Sequence, residues 1–151
     1  MKWGDEMEYR RAHMDEIPML IELRKRQLVD EGIEPNQEID ADLETFFRRR
    51  MGDGSLIEWV VEAGGALIAT AAVVFYDFPP TYTNRTGRRA YVTNMYTRPD
   101  CRGRGIATAL LAKLVEETRA EGISRMWLGA SELGRPVYEK FGFRQADRWM
   151  E

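Results

Sequence analysis

The sequence predicts an α/β (α+β) domain: a mixed, mostly antiparallel sheet with helices on both faces. Three observations lead there. Short runs rich in β-branched and aromatic residues are separated by two amphipathic helical patterns in the first third of the chain and two in the last third. The run "LIEWVVEAGGALIATAAVVFYD" (56–77) is divided by Gly64-Gly65, a pair that tolerates positive φ and so closes a hairpin. A strand–helix–strand unit over 90–130 requires one parallel pairing in a sheet that is otherwise connected by hairpins.

The elements follow in order. "EMEYRRA" (6–12) reads as a short strand. From Asp15 a helical pattern carries Ile17, Leu20, Ile21, Leu23 and Leu28, with Pro18 in the first turn and Gly32 near the end. A polar stretch leads to a second helix over 40–51. The hairpin of 56–77 is followed by a loop rich in aromatics and prolines, "DFPPTYTNRTGRR" (77–89), and a strand, "AYVTNMYT" (90–97). Residues 105–121 form a helix with Ile106, Ala107, Leu110, Leu111, Leu114 and Val115 on one face and Gly122 as its C-cap. "SRMWLGA" (124–130) is a strand, "ELGRPVYEKFG" a short helix that exits at Gly142, and "FRQADRWM" (143–150) a final strand.

Length and composition bound the rest. The 151 residues fit one domain, 1–151, and 44% hydrophobic with 31% charged residues is ordinary for a globular chain. A net charge of -3 sets up no field for nucleic acid or acidic lipid. No stretch approaches the roughly 20 apolar residues of a membrane span, and the charged N-terminal stretch is not a signal peptide. The single cysteine, Cys101, allows no internal disulfide, which suits a reducing compartment. A cytoplasmic protein without a metal site is expected, and a homodimer is compatible with the sequence.

The stretch "TNMYTRPDCRGRGIATALL" (93–111) carries the chemistry. A glycine-rich turn between a strand and a helix places backbone N–H groups and the positive end of the helix dipole at one point, which is an anion site. Gly103 and Gly105 let a ligand approach the backbone, and Arg102 and Arg104 add donor forks suited to phosphate oxygens. A pyrophosphate uses all of this best. No "GK[ST]" follows, which excludes a Walker-type loop, and Thr108 stands where the dinucleotide fingerprint wants a third glycine. Read alone, the stretch is first a turn with a solvated rim and only second an anion site.

The run Arg102, Gly103, Arg104, Gly105, Ile106, Ala107 resembles R/Q-x-x-G-x-G/A, the acyl-coenzyme A pyrophosphate loop of the GCN5-related N-acetyltransferases. "RPVYEKFGFR" (135–144) is similar to that family's closing motif, and the element order is similar across nearly the whole chain. The resemblance implies a sheet of six to seven strands with a splayed parallel pair. It implies acetyl-CoA as cofactor, an amine acceptor, and direct attack of the amine on the thioester in a ternary complex. A non-catalytic acyl-CoA sensor on the same fold is the alternative.

Site residues follow by position. A bulge would expose backbone groups of Met95, Tyr96 and Thr97 to the pantetheine arm, and the Met95 N–H would stabilise the oxyanion. The N–H groups of Arg102, Gly103, Arg104, Gly105, Ile106, Ala107 and Thr108 would hold the pyrophosphate, with Arg98 or Arg135 as candidates for the 3′-phosphate. Tyr138 matches the tyrosine that serves as general acid to the departing thiolate. With a tyrosine pKa of about 10 and a thiol pKa of about 8.5, a hydrogen bond to the thiolate is the safer role unless the site lowers the tyrosine. Ser131 and Gly134 stand where many members have asparagine and alanine, and Ser131 would hydrogen-bond near the cofactor. Cys101, beside a helix start and arginines, would have a depressed pKa.

The acceptor side is less defined. Removing a proton from a lysine-like amine at neutral pH costs about 5 kcal/mol, so a base or a water relay is useful. Tyr91 occupies the position where some members carry a glutamate base, Asp77 and Glu58 are the other candidates, and His13 reads as a cap. The first two helices, the 75–85 loop and the last strand should form the acceptor pocket, with Phe75, Tyr76, Asp77, Phe78, Tyr82 and Trp149 as its wall.

Overall fold

In the computed structural model, which describes residues 6–146 and 148–151, the chain runs β1 (Glu8–Arg11), α1 (Ile17–Asp30), α2 (Asp40–Gly52), β2 (Leu56–Ala63), β3 (Ala66–Asp77), β4 (Arg88–Thr97), α3 (Ile106–Ala120), β5 (Met126–Leu128) and α4 (Arg135–Phe141). Single 3-10 turns lie at Met14–Glu16 and Pro99–Cys101. The strands form one sheet in the order β1-β2-β3-β4-β5, antiparallel throughout except for the parallel pair β4–β5.

Each face of the sheet is closed by its own helices. On one face Ile57, Val61, Val73 and Val92 pack against Ile106, Leu110, Leu111 and Leu114 of α3 and against Tyr138 of α4. On the other, Leu56, Val60, Ala72 and Tyr96 meet Ile17, Leu20 and Leu23 of α1 and Phe47 of α2. Coverage on both faces explains why β2 and β3 read as nearly continuous apolar runs rather than as alternating ones. Full burial of the three α3 leucines contributes about 1.5–3 kcal/mol each, which locks the helix, and so its N-terminus, against the sheet.

Charged clamps tie the first strand down. Arg10 gives both terminal nitrogens to Glu16, each at 2.8 Å, and one also to Glu62 at 2.6 Å. Its guanidinium holds the Glu16 carboxyl below the usual carboxylate range. Arg11 forks onto Glu117 of α3 at 2.6 Å through both nitrogens, and the Trp59 indole N–H donates to the same carboxylate at 2.9 Å. His13 caps the first 3-10 turn, its N–H donating to Glu16 at 2.8 Å.

The sheet has five strands among the described residues, not six to seven. The expected strand at 143–150 does not form; Asp147 lies outside the described residues. β5 is only three residues long and offers little ladder for a further strand. Side chains anchor the segment instead: Phe143 against Tyr138 and Phe141, and Trp149 edge-on to Trp127.

Candidate active site

Two irregularities coincide on β4. On its β3 side, Thr93 lies opposite Ala72 and Tyr96 opposite Thr70, so Ala71 alone faces both Asn94 and Met95. That is a β-bulge, and Asn94 takes the extra residue's conformation with φ 55. Asparagine is among the few side chains that tolerate this left-handed region. On its other side, β4 pairs with β5 only from Ala90 to Val92, the last partners being Val92 and Leu128. From Thr93 to Thr97 no strand among the described residues lies along that edge. Met95, Tyr96 and Thr97 therefore sit on an open strand edge just past a bulge.

The chain then enters the glycine turn. Gly103 and Gly105 both adopt φ 78, and nothing lies within 4 Å of where a Cβ would project from either. Their conformation, not crowding, requires glycine, and the space beside them is free for a ligand. Within α3 the first bond runs from the Ala109 N–H to the Gly105 carbonyl at 3.0 Å. The N–H groups of Ile106, Ala107 and Thr108 precede it and are the orphan donors of the helix start. Arg104 is exposed beside them.

Arg102 departs from expectation. Its Nε donates to the Thr97 carbonyl at 2.9 Å, its Nη2 pairs with Asp30 at the end of α1 at 3.1 Å, and its guanidinium lies over the Tyr96 ring. The fork is spent on bracing the turn. Cys101 also departs from it: the thiol is fully buried and pushed up, not down, by burial and then by Asp100. The charge of the nearby arginines is outweighed by the loss of solvent.

Tyr138 stands in the middle of α4, 8% exposed, with Phe143 edge-on. Burial first, then Glu31 and Tyr91, push its hydroxyl up to about 12. Ser131 begins the turn into this helix: its Oγ accepts the Gly134 N–H at 3.1 Å and its carbonyl accepts the Arg135 N–H at 2.9 Å. Gly134 is needed for close approach, since a Cβ there would lie 2.8 Å from the Tyr138 ring.

The acceptor candidates divide. Trp149 and Tyr138 line one groove of about 930 Å³ along β5, together with Trp127, Arg135, Phe143 and Arg148. Tyr76, Asp77 and Tyr82 do not line it. Tyr76 pairs with Arg89, six residues before Met95 and so about 20 Å along the strand. Phe78 stacks under the Arg89 guanidinium at 4.3 Å, Asp77 and Tyr82 are exposed, and Phe75 belongs to the core. Of the base candidates, Tyr91 is 40% exposed and Asp77 stands with Tyr76 at the far end of β4.

Glu58 differs from the other base candidates. Its side chain lies under α1 at 3% exposure, receives the Asn94 Nδ2–H at 3.0 Å, and meets the Thr70 hydroxyl. Burial pushes its carboxyl up to about 8, against the smaller opposing effects of those two hydrogen bonds and of Arg24. The link from Glu58 to the bulge is not visible in the sequence; a lone glutamate in the apolar run "LIEWVV" is the one signal of it.

Comparison with known proteins bears on this arrangement. The profile of the acetyltransferase (GNAT) family matches residues 17–143. A predicted acetyltransferase from Clostridium acetobutylicum, crystallised with acetyl-CoA, is 53% identical and superimposes with a TM-score of 0.94 over 96% of this chain and 94% of that one. A GCN5-related N-acetyltransferase from Ralstonia eutropha is 27% identical, with a TM-score of 0.88 over 96% and 97% of the two chains. The glucosamine 6-phosphate N-acetyltransferase of Trypanosoma brucei brucei is 30% identical over 86 residues; the match spans 57% of this chain and 56% of that protein.

Proposed function

Because the chain belongs to the acetyltransferase (GNAT) family, we propose that it moves an acetyl group from acetyl-CoA to a primary amine of a small molecule or peptide, by direct attack while both are bound. One observation carries the reading: the open edge of β4 past its bulge leads directly into an uncovered helix N-terminus. The residues present fit the cofactor. The free space beside Gly103 and Gly105 and the orphan N–H groups of α3 suit a pyrophosphate, and the unpaired edge at Met95–Thr97 suits an amide-bearing arm that adds like a strand.

When bound, acetyl-CoA supplies the activated acyl group. The protein's own contribution is positioning and charge. The N–H groups of Gly103 to Thr108 would hold its anionic end. The Met95 N–H, held by the bulge, would serve as the donor to the thioester oxygen. Tyr138 would donate a hydrogen bond to the sulfur. With its hydroxyl near 12 and a thiol near 8.5, full proton transfer would be uphill by about 5 kcal/mol, so the tyrosine stabilises a thiolate rather than protonating it. The groove beside Tyr138, with Trp127 and Trp149, receives the acceptor.

The test is release of free coenzyme A from acetyl-CoA over a panel of polyamines, aminoglycosides, amino sugars, amino acids and peptides. Amine-dependent release is expected. Tight binding of acetyl-CoA with no release on any amine would replace this reading with that of a sensor.

A further inference from the structure

The bulge in β4 is held from below by a carboxyl group that no step of the transfer uses. Glu58 projects from β2 onto the face covered by α1 and is 3% exposed. One of its oxygens accepts the Asn94 Nδ2–H at 3.0 Å, and the other lies against the Thr70 hydroxyl of β3. Asn94 is itself 4% exposed and holds the positive φ from which Met95 follows. Three strands thus meet at one buried side chain, directly beneath the bulge.

Proton bookkeeping assigns the state of that side chain. The Thr70 Oγ1 lies 3.1 Å from the Trp59 carbonyl as well as against Glu58. A hydroxyl has one proton, and a carbonyl has none. A Thr70 proton shared between the two acceptors makes each bond weaker; both are made in full when Glu58 brings the second proton, donating to Thr70 while Thr70 donates to Trp59. The charged group acting on the site is Arg24 of α1; Thr70 from β3 and Asn94 from β4 face the carboxyl as neutral groups. Among the described residues no ion pair compensates an ionised carboxylate there, and a buried charge without one is costly.

We propose that Glu58 is a positioning residue: a neutral carboxylic acid that, through Asn94, fixes the β4 bulge and with it the direction of the Met95 N–H. The inference rests on the acetyl-transfer reading for what that N–H does, and on geometry alone for the tether. Glu58 does not act as the base that deprotonates the amine, because both of its oxygens are engaged within the protein.

Glutamine is the isostere of a protonated glutamate, so Glu58→Gln separates the roles. In the full-length, ligand-free protein at neutral pH, the wild type should show the infrared carbonyl stretch of a protonated carboxylic acid that Glu58→Gln lacks. The backbone amide chemical shift of Met95 should be unchanged in Glu58→Gln and displaced in Glu58→Ala. In turnover, Glu58→Gln should keep at least half of kcat at neutral pH. Glu58→Ala should lose at least about tenfold in kcat with the KM for acetyl-CoA within about twofold, short of the roughly 100-fold loss expected for removing an oxyanion donor. The wild-type rate should fall as pH rises past about 8, where Glu58 ionises, and Glu58→Gln should lack that limb.

If Glu58→Ala does not fold, Asn94→Ala cuts the same tether and should show the same kcat loss with the KM for acetyl-CoA within about twofold. A wild-type minus Glu58→Gln difference spectrum with a carboxylate band and no acid carbonyl band at neutral pH, or a Glu58→Gln variant as impaired as Glu58→Ala, would overturn the proposal. A wild type that shows the acid band and the expected Met95 amide shifts but acetylates no amine would instead overturn the acetyl-transfer reading.

Discussion

At the scale of single residues, solvent exclusion decides which groups can do which chemistry. Tyr138 is the clearest case: the motif that contains it implies an acid, and burial makes it a poorer one. Tyr138→Phe should therefore lower kcat by about tenfold, the scale of one lost hydrogen bond to a charged group, and leave acetyl-CoA affinity within about twofold in a direct binding measurement. Gly134 belongs to the same argument. A methyl group there would meet the Tyr138 ring at 2.8 Å. Gly134→Ala should cost about 1–3 kcal/mol of stability by denaturant titration and reduce turnover by displacing the ring. Neither effect is legible from "LGRPVYEKFG": the motif gives the tyrosine's place in the chain, but its pKa and its contact with Gly134 arise from a fold that packs α4 onto the sheet. Arg102 makes the same point, since nothing in "DCRGRG" distinguishes the arginine that braces Thr97 and Asp30 from the one left exposed.

At the scale of elements, the site is a junction between a strand that loses its neighbour and a helix that has not yet closed its first turn. The glycine turn was readable because positive φ and helix starts have residue signatures, and Gly103 and Gly105 both adopt φ 78. Gly105→Glu adds backbone strain of about 1–2 kcal/mol together with a negative charge at the proposed anion site. Its melting temperature should fall, and its acetyl-CoA affinity should drop by more than tenfold by calorimetry. Unchanged affinity would remove the loop from the site. α3 is also an anchor: Leu114 is fully buried, and Leu114→Ala should cost about 2–5 kcal/mol in denaturant unfolding. The final strand was misread for an elemental reason. "FRQADRWM" has strand-forming residues, but a strand needs a ladder, and β5 supplies three residues of it. The bulge was expected from the resemblance; its position at Asn94 follows from the pairing of β4 with β3.

At the scale of the whole molecule, the buried carboxyl groups set how stability depends on pH. Glu58 has a folded value near 8 against 4.5 for an ordinary glutamate, so the folded state binds the extra proton between those limits. Its contribution is fully present below about 4.5 and is lost as pH rises through about 8. At roughly 1.4 kcal/mol per unit, the loss amounts to a few kcal/mol at most. Glu117 acts in the opposite sense: burial would raise it, but the Arg11 fork and the Trp59 N–H outweigh that and hold it low, so its contribution is lost as pH falls. Thermal unfolding should therefore show a lower Tm at about pH 8.5 than at about pH 5.5, and Glu58→Gln should flatten that decline. Among the described residues no helix is long and apolar enough to cross a membrane. What the sequence determined by itself was local and periodic: the mixed sheet, the helix faces, the hairpin at Gly64-Gly65, the glycine turn and the family motif. These depend on residues near one another along the chain. What only the tertiary structure decided was which distant groups share a site: Glu58 under Asn94, Arg102 on Asp30, Trp149 in the groove of Tyr138, and Tyr76 well away from Met95. Burial and strand register create those relations, and both are properties of the packed sheet rather than of any segment in it.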